Sequence, residues 1–142
     1  MPTTDQTREI ARCSQGHQGF HYWLSKYVKV RDVHKGMIDF EMWPCHTRMV
    51  DALSHNRLIV VLKARQIGMS WMLGAAYPLW ITMFHPYKSA MLFSRREDEA
   101  SDLLERCRFI WRNLPGWMQV DMTKSSQTII ECGGIESVIR SF

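Results

Sequence analysis

Residues 61 to 71, VLKARQIGMSW, carry the densest chemical signal in the chain. Gly68 and Ser70 stand as the closing glycine and hydroxyl of G-x-x-x-x-G-K-[ST], a loop whose amides cradle phosphate, whose lysine supplies charge and whose hydroxyl holds magnesium. Where that lysine belongs the chain has Met69, and Lys63 occupies the place of the first glycine. Because such a loop curls around its anion, a long side chain at the entrance can reach the same phosphate, and Arg65 adds a second cation. The same residues also read as a solvated Lys63-Ala64-Arg65 turn with Gly68 as a cap. Placement separates the two readings, since the phosphate loop must follow a strand and open a helix.

The flanking elements meet that requirement in outline. RLIVVL (57 to 62) is a continuous aliphatic run of the kind that forms a strand buried on both faces. GMSWMLGAAYPLWITMF (68 to 84) is apolar throughout but short for a bilayer and holds Pro78, which favours a buried helix over a membrane span. SAMLFS (89 to 94) reads as a second buried strand. It leads into a helix with Ala100, Leu103, Leu104, Cys107, Ile110 and Trp111 on one face, so the spacing predicts strand, loop, helix, strand, helix, a βαβ unit. Upstream, residues 5 to 27 are expected as two helical pieces broken around SQGHQG, with Phe20, Trp23, Leu24 and Tyr27 as a core stripe. Residues 28 to 42 follow as a hairpin turning at Gly36, then a helix with Pro44 in its first turn. The end, QTIIECGGIESVIRSF, predicts two strands turning at Gly133-Gly134.

LKARQIGMSW resembles the altered Walker A loop of the large terminase subunits of tailed bacteriophages, ATPases that drive double-stranded DNA into capsids. Some members carry the lysine at the front of the loop, as Lys63 stands here. The likeness extends through FHYWLSKYVKVRDVHKGMIDFEMWPCHTRMVDALSHNRLIVV, similar to the family's aromatic helix, KYV segment, Gly-x-[IV]-x-F hairpin and Pro-x-Gln helix, and through SAMLFSRREDEASDLLERCRFIWRNLP downstream. The resemblance implies an α/β fold of the P-loop NTPase type, its sheet incomplete, with an N-terminal helical and β-hairpin elaboration. It implies ATP and Mg2+ as cofactors, held by Lys63, Ala64, Arg65, Gln66, Ile67, Gly68, Met69 and Ser70, with the Ser70 hydroxyl on the metal. The family's adenine-contacting Gln corresponds to His46, an imidazole that offers fewer hydrogen bonds than an amide. On this reading residues 1 to 142 are the N-terminal part of a terminase-like ATPase domain. The Walker B strand with its water-activating glutamate and the metal-binding nuclease are not in the sequence, so no catalytic residue is assigned. Partners implied are DNA, a portal protein, a small terminase subunit and an oligomer on the capsid.

The remaining features bound this picture more than they add to it. The chain has 142 residues, a net charge of +4 and 46% hydrophobic residues, enough for one domain with a core. Its mild basicity permits weak, salt-sensitive contact with DNA without arguing for it. A polar N-terminus without a signal pattern and four scattered cysteines are read as cytoplasmic, in reduced form, with no membrane association. Cys13, His17 and His21 lie four apart and could face zinc from one continuous helix, although Gly16 and Gly19 interrupt it. Three functions therefore compete: the front of a packaging ATPase, a non-hydrolysing nucleotide-binding or interaction fragment that works with another subunit, and an unrelated P-loop enzyme such as a small-molecule kinase.

Overall fold

In the computed structural model, which covers Met1–Phe142, the chain opens with helices α1 (Thr4–Ser14) and α2 (Gly16–Tyr27). Thr3 caps α1 reciprocally: its hydroxyl accepts from the Gln6 amide at 3.3 Å while its own amide donates to Gln6 Oε1 at 2.8 Å. The break falls where the sequence places it, at a left-handed Gly16 with φ 58°. At Gly19 a Cβ would stand 2.6 Å from the Cys13 carbonyl oxygen, so only glycine lets α2 start this close to the end of α1. Phe20, Trp23 and Leu24 are buried as the stripe predicts. Tyr27 instead reaches back to donate its hydroxyl to Glu9.

The hairpin follows, with β1 (Lys29–Asp32) and β2 (Gly36–Asp39) paired antiparallel and Val30 opposite Ile38. Its turn is held by the Asp32 carboxylate, which accepts the His34 and Lys35 amides at 2.8 and 2.9 Å. Helix α3 (Pro44–His55) begins with proline at its first position, where the missing N–H costs nothing.

The next segment departs from expectation. Residues 57 to 63 form no strand, and none of residues 57 to 67 takes part in a backbone–backbone hydrogen bond. The aliphatic run is extended but alternates: Val61 packs on the core, while Leu58, Val60 and Leu62 are more than 90% exposed. Apolar content alone therefore misleads here, because a buried strand also needs ladder neighbours for its amides and carbonyls.

After the loop come a single α-turn, α4 (Met69–Trp71), a π-helical stretch at Met72–Ala76 and helix α5 (Tyr77–Phe84). Pro78 accounts for the widening: it has no N–H for the Gly74 carbonyl four residues back, and the helix relaxes so that Tyr77 N–H donates to Met72 O, five residues back. Strand β3 (Ser89–Leu92) and helix α6 (Glu97–Arg112) then lead to β4 (Met122–Ser125), β5 (Ile129–Cys132) and β6 (Ser137–Ser141). Their sheet has the order β3-β6-β5-β4, with β3 parallel to β6 and the rest antiparallel. The expected βαβ unit is thus not closed by the run at 57 to 62. The parallel pair is β3 with β6, and α6 lies in the connection between them. The hairpin at Gly133-Gly134 is as predicted, whereas β4 has no counterpart in the sequence reading.

The molecule is mixed α/β, with its core where α2, the π stretch, α5 and α6 meet the sheet through Trp23, Met72, Leu79, Leu104, Ile110, Ile130 and Ile139, each fully buried. No helix is long and apolar enough to cross a membrane.

Candidate nucleotide site

A cleft of about 760 Å³ opens between the hairpin, the start of α3, the loop and α6, within the range typical of small-molecule sites. Of the residues singled out from the sequence, Lys63, Gln66, Ile67, Gly68, Met69, Ser70 and His46 line it; Ala64 and Arg65 do not. The loop turns by two left-handed residues spaced two apart, Gln66 with φ 60° and Gly68 with φ 77°. Gly68 can adopt that conformation freely, whereas Gln66 is held there at a cost, the kind of local strain that collects at ligand-binding turns. The loop opens a helix, as an anion cradle requires, but no strand precedes it, so half of the placement expected of a phosphate loop is met.

Charge is available where the loop lacks its usual lysine. Lys63 and Arg65 are exposed, and neither joins an ion pair. Met69 cannot serve as an alternative position for the cation, because its side chain is only 4% exposed and belongs to the core. Ser70 is exposed at the first turn of α4.

His46 is placed differently from the role implied for it. Its Nδ1 accepts the Trp43 amide at 3.0 Å, and its Nε2 faces the Ile67 carbonyl oxygen at 2.5 Å, which requires the proton on Nε2. The residue is 2% exposed. Both ring nitrogens are engaged within the protein, leaving His46 no free hydrogen bond with which to read adenine.

Two cations on the cleft wall were not evident from sequence. The Arg31 guanidinium lies 4.7 Å over the Phe109 ring, Phe109 meets Trp71 edge-on at 5.7 Å, and Arg106 lies 5.1 Å over Trp71. Arg31 comes from β1, Trp71 from α4, and Arg106 and Phe109 from α6, so no local spacing relates the two arginines. Five carboxylates share the cleft: Asp32 holds its turn, Asp39 pairs with Lys29 and Glu105 pairs with Arg108 and Arg112, while Glu41 and Asp102 join no ion pair and oppose an anion there. The two arginines hold the Glu105 carboxyl below its usual range although its burial opposes this.

The zinc arrangement is not formed. His17 bonds the Tyr77 hydroxyl at 3.3 Å, His21 faces the Thr47 hydroxyl at 3.5 Å, and the buried Cys13 thiol is pushed up to about 12 by desolvation. The helix break at Gln15 and Gly16 places Cys13 on one helix and the two histidines on the next. No family model matches the chain, and no curated protein is significantly similar to it.

Proposed function

We propose that the protein binds a magnesium nucleoside triphosphate, ATP in the first instance, through an altered Walker A loop at residues 63 to 70, as the phosphate-binding part of a DNA-packaging ATPase of the large-terminase kind. The single observation that carries the reading is the juxtaposition of an unpaired Lys63 with a loop turned by Gln66 and Gly68, on one cleft. Lys63 supplies the charge that Met69 does not, amides from Gln66 to Ser70 cradle the phosphates, and the Ser70 hydroxyl holds Mg2+. Arg65 is exposed but outside the cleft lining, and its role as a second cation rests on the family resemblance. Double-stranded DNA, a portal protein and a small terminase subunit are partners on the strength of the family resemblance alone. The P-loop NTPase type of sheet rests on the same resemblance.

A second reading is favoured by residues 57 to 63. An extended, unladdered run with Leu58, Val60 and Leu62 exposed suits a chain that binds nucleotide and works against another polypeptide rather than hydrolysing ATP by itself.

The test of phosphate binding is a calorimetric titration of magnesium ATP into wild type and Lys63→Ala. Loss of about tenfold or more in affinity is expected from removing a charge-assisted contact. Equal affinities would remove Lys63 from the site. A Met69→Lys change in the Lys63→Ala background is not expected to rescue binding, because position 69 is buried.

A further inference from the structure

We infer that His46 is a positioning residue that locks the loop at 63 to 70 in its binding shape before any ligand arrives. The inference rests on the reading of that loop as a phosphate site, and it goes beyond it by assigning what holds the loop in place. Residues 57 to 67 have no backbone ladder, so their conformation must be fixed by side chains. Only one side-chain hydrogen bond is made to the backbone of this stretch, from His46 Nε2–H to Ile67 O. It falls between the two left-handed residues, Gln66 and Gly68, where it can hold both in place.

The mount behind this contact is rigid. His46 Nδ1 accepts the Trp43 amide at the N-terminus of α3, three residues back, the same reach that a Gln or Glu makes in a capping box. Phe40 lies beside it with ring centroids 5.0 Å apart, and the Phe40 amide is tied to Val28 O at 3.0 Å across the end of the hairpin. A Cβ on Gly68 would stand 3.3 Å from Phe40 and 3.6 Å from His46 Nε2, so the loop rests directly on this pair. One imidazole therefore joins the hairpin, α3 and the loop, with its acceptor spent on the helix cap and its donor on the loop. Preorganisation of this kind lowers the ordering that a ligand must otherwise impose.

Three substitutions separate the two bonds. Glutamine at position 46 can accept from Trp43 N–H and donate to Ile67 O, glutamate can only accept, and alanine does neither. With no ligand present, NMR order parameters for the amides of Gln66 to Ser70 are expected to stay at the wild-type level in His46→Gln and to fall in His46→Glu and His46→Ala. The thermal midpoint should be kept in His46→Gln, which makes both bonds, and lowered in His46→Glu, which buries a carboxylate against the Ile67 carbonyl. Affinity for magnesium tripolyphosphate, read by calorimetry, is expected to match wild type in His46→Gln and to drop about tenfold in His46→Ala. His46→Glu is read only by loop order, because its charge would repel phosphate directly. Wild-type loop order in His46→Glu or His46→Ala would overturn the inference, even if His46→Ala proved too unstable to compare. Ordered loops that follow this pattern in a protein that binds no phosphate would leave the brace standing and remove the ligand reading.

Discussion

The Trp80 indole donates to the carbonyl oxygen of Cys13 at 2.7 Å, a buried bond between α5 and the end of α1. It joins residues 67 apart in sequence and fixes the N-terminal helices to the helix that follows the loop. Trp80→Phe keeps a ring in contact with Phe20 but leaves that carbonyl without a partner. A destabilisation of about 1–3 kcal/mol is expected, the cost of an unsatisfied buried acceptor, measured as a lowered urea midpoint.

Glu9 should make stability acid-sensitive. Its carboxylate accepts from the Tyr27 and Tyr22 hydroxyls and from Lys26 Nζ, and these bonds, Tyr27's foremost, lower its pKa from 4.5 to about 2. A folded-state value below the unfolded one contributes stability that is fully present above pH 4.5 and is lost as pH falls toward about 2. Wild type is therefore expected to exceed Glu9→Gln in stability at neutral pH, with the gap closing through that window. A gap of constant size across it would show that Glu9 is not held ionised by its neighbours. The side chain is 26% exposed, so solvent screening keeps the effect modest.

The run at 57 to 63 should behave as surface. Leu58→Thr with Leu62→Thr removes two side chains that are 91% and 96% exposed, and the thermal stability of the fold should change by no more than about 0.5 kcal/mol. Concentration-dependent association, followed by light scattering, should weaken at the same time, because an unpaired extended segment with apolar alternation is a template for pairing. A large loss of stability would mean that these leucines are buried in solution.

Local signals in the sequence carried much of the fold. The glycine break near residue 16, the hairpin turn at Gly36, Pro44 at a helix start and the Gly133-Gly134 turn each act over a few residues, and the elements they bound are observed. What sequence could not convey is pairing. An aliphatic run such as RLIVVL looks the same whether or not neighbours exist to ladder with it, and the partner of β3 proved to be β6, almost fifty residues later. The loop's special backbone was legible at Gly68 but not at Gln66, a residue type that rarely adopts positive φ. His46 was marked for the site by position, but the bonds that commit it to Trp43 and Ile67 depend on a tertiary approach of α3 to the loop. Arg31 and Arg106 reach the cleft in the same way, from elements far apart in the chain.

Phosphate recognition by loop amides is the claim on which everything functional depends, and amide chemical shifts report it residue by residue. In a ¹H–¹⁵N titration with magnesium ATP, the amides of Gln66, Ile67, Gly68, Met69 and Ser70 are expected to shift together and saturably, with the Trp43 amide following through His46. The same changes should appear with magnesium tripolyphosphate, which carries no base, and should shrink in Lys63→Ala. Binding that leaves these five amides unmoved, or no binding by either ligand, would contradict the assignment of residues 63 to 70 as a phosphate loop.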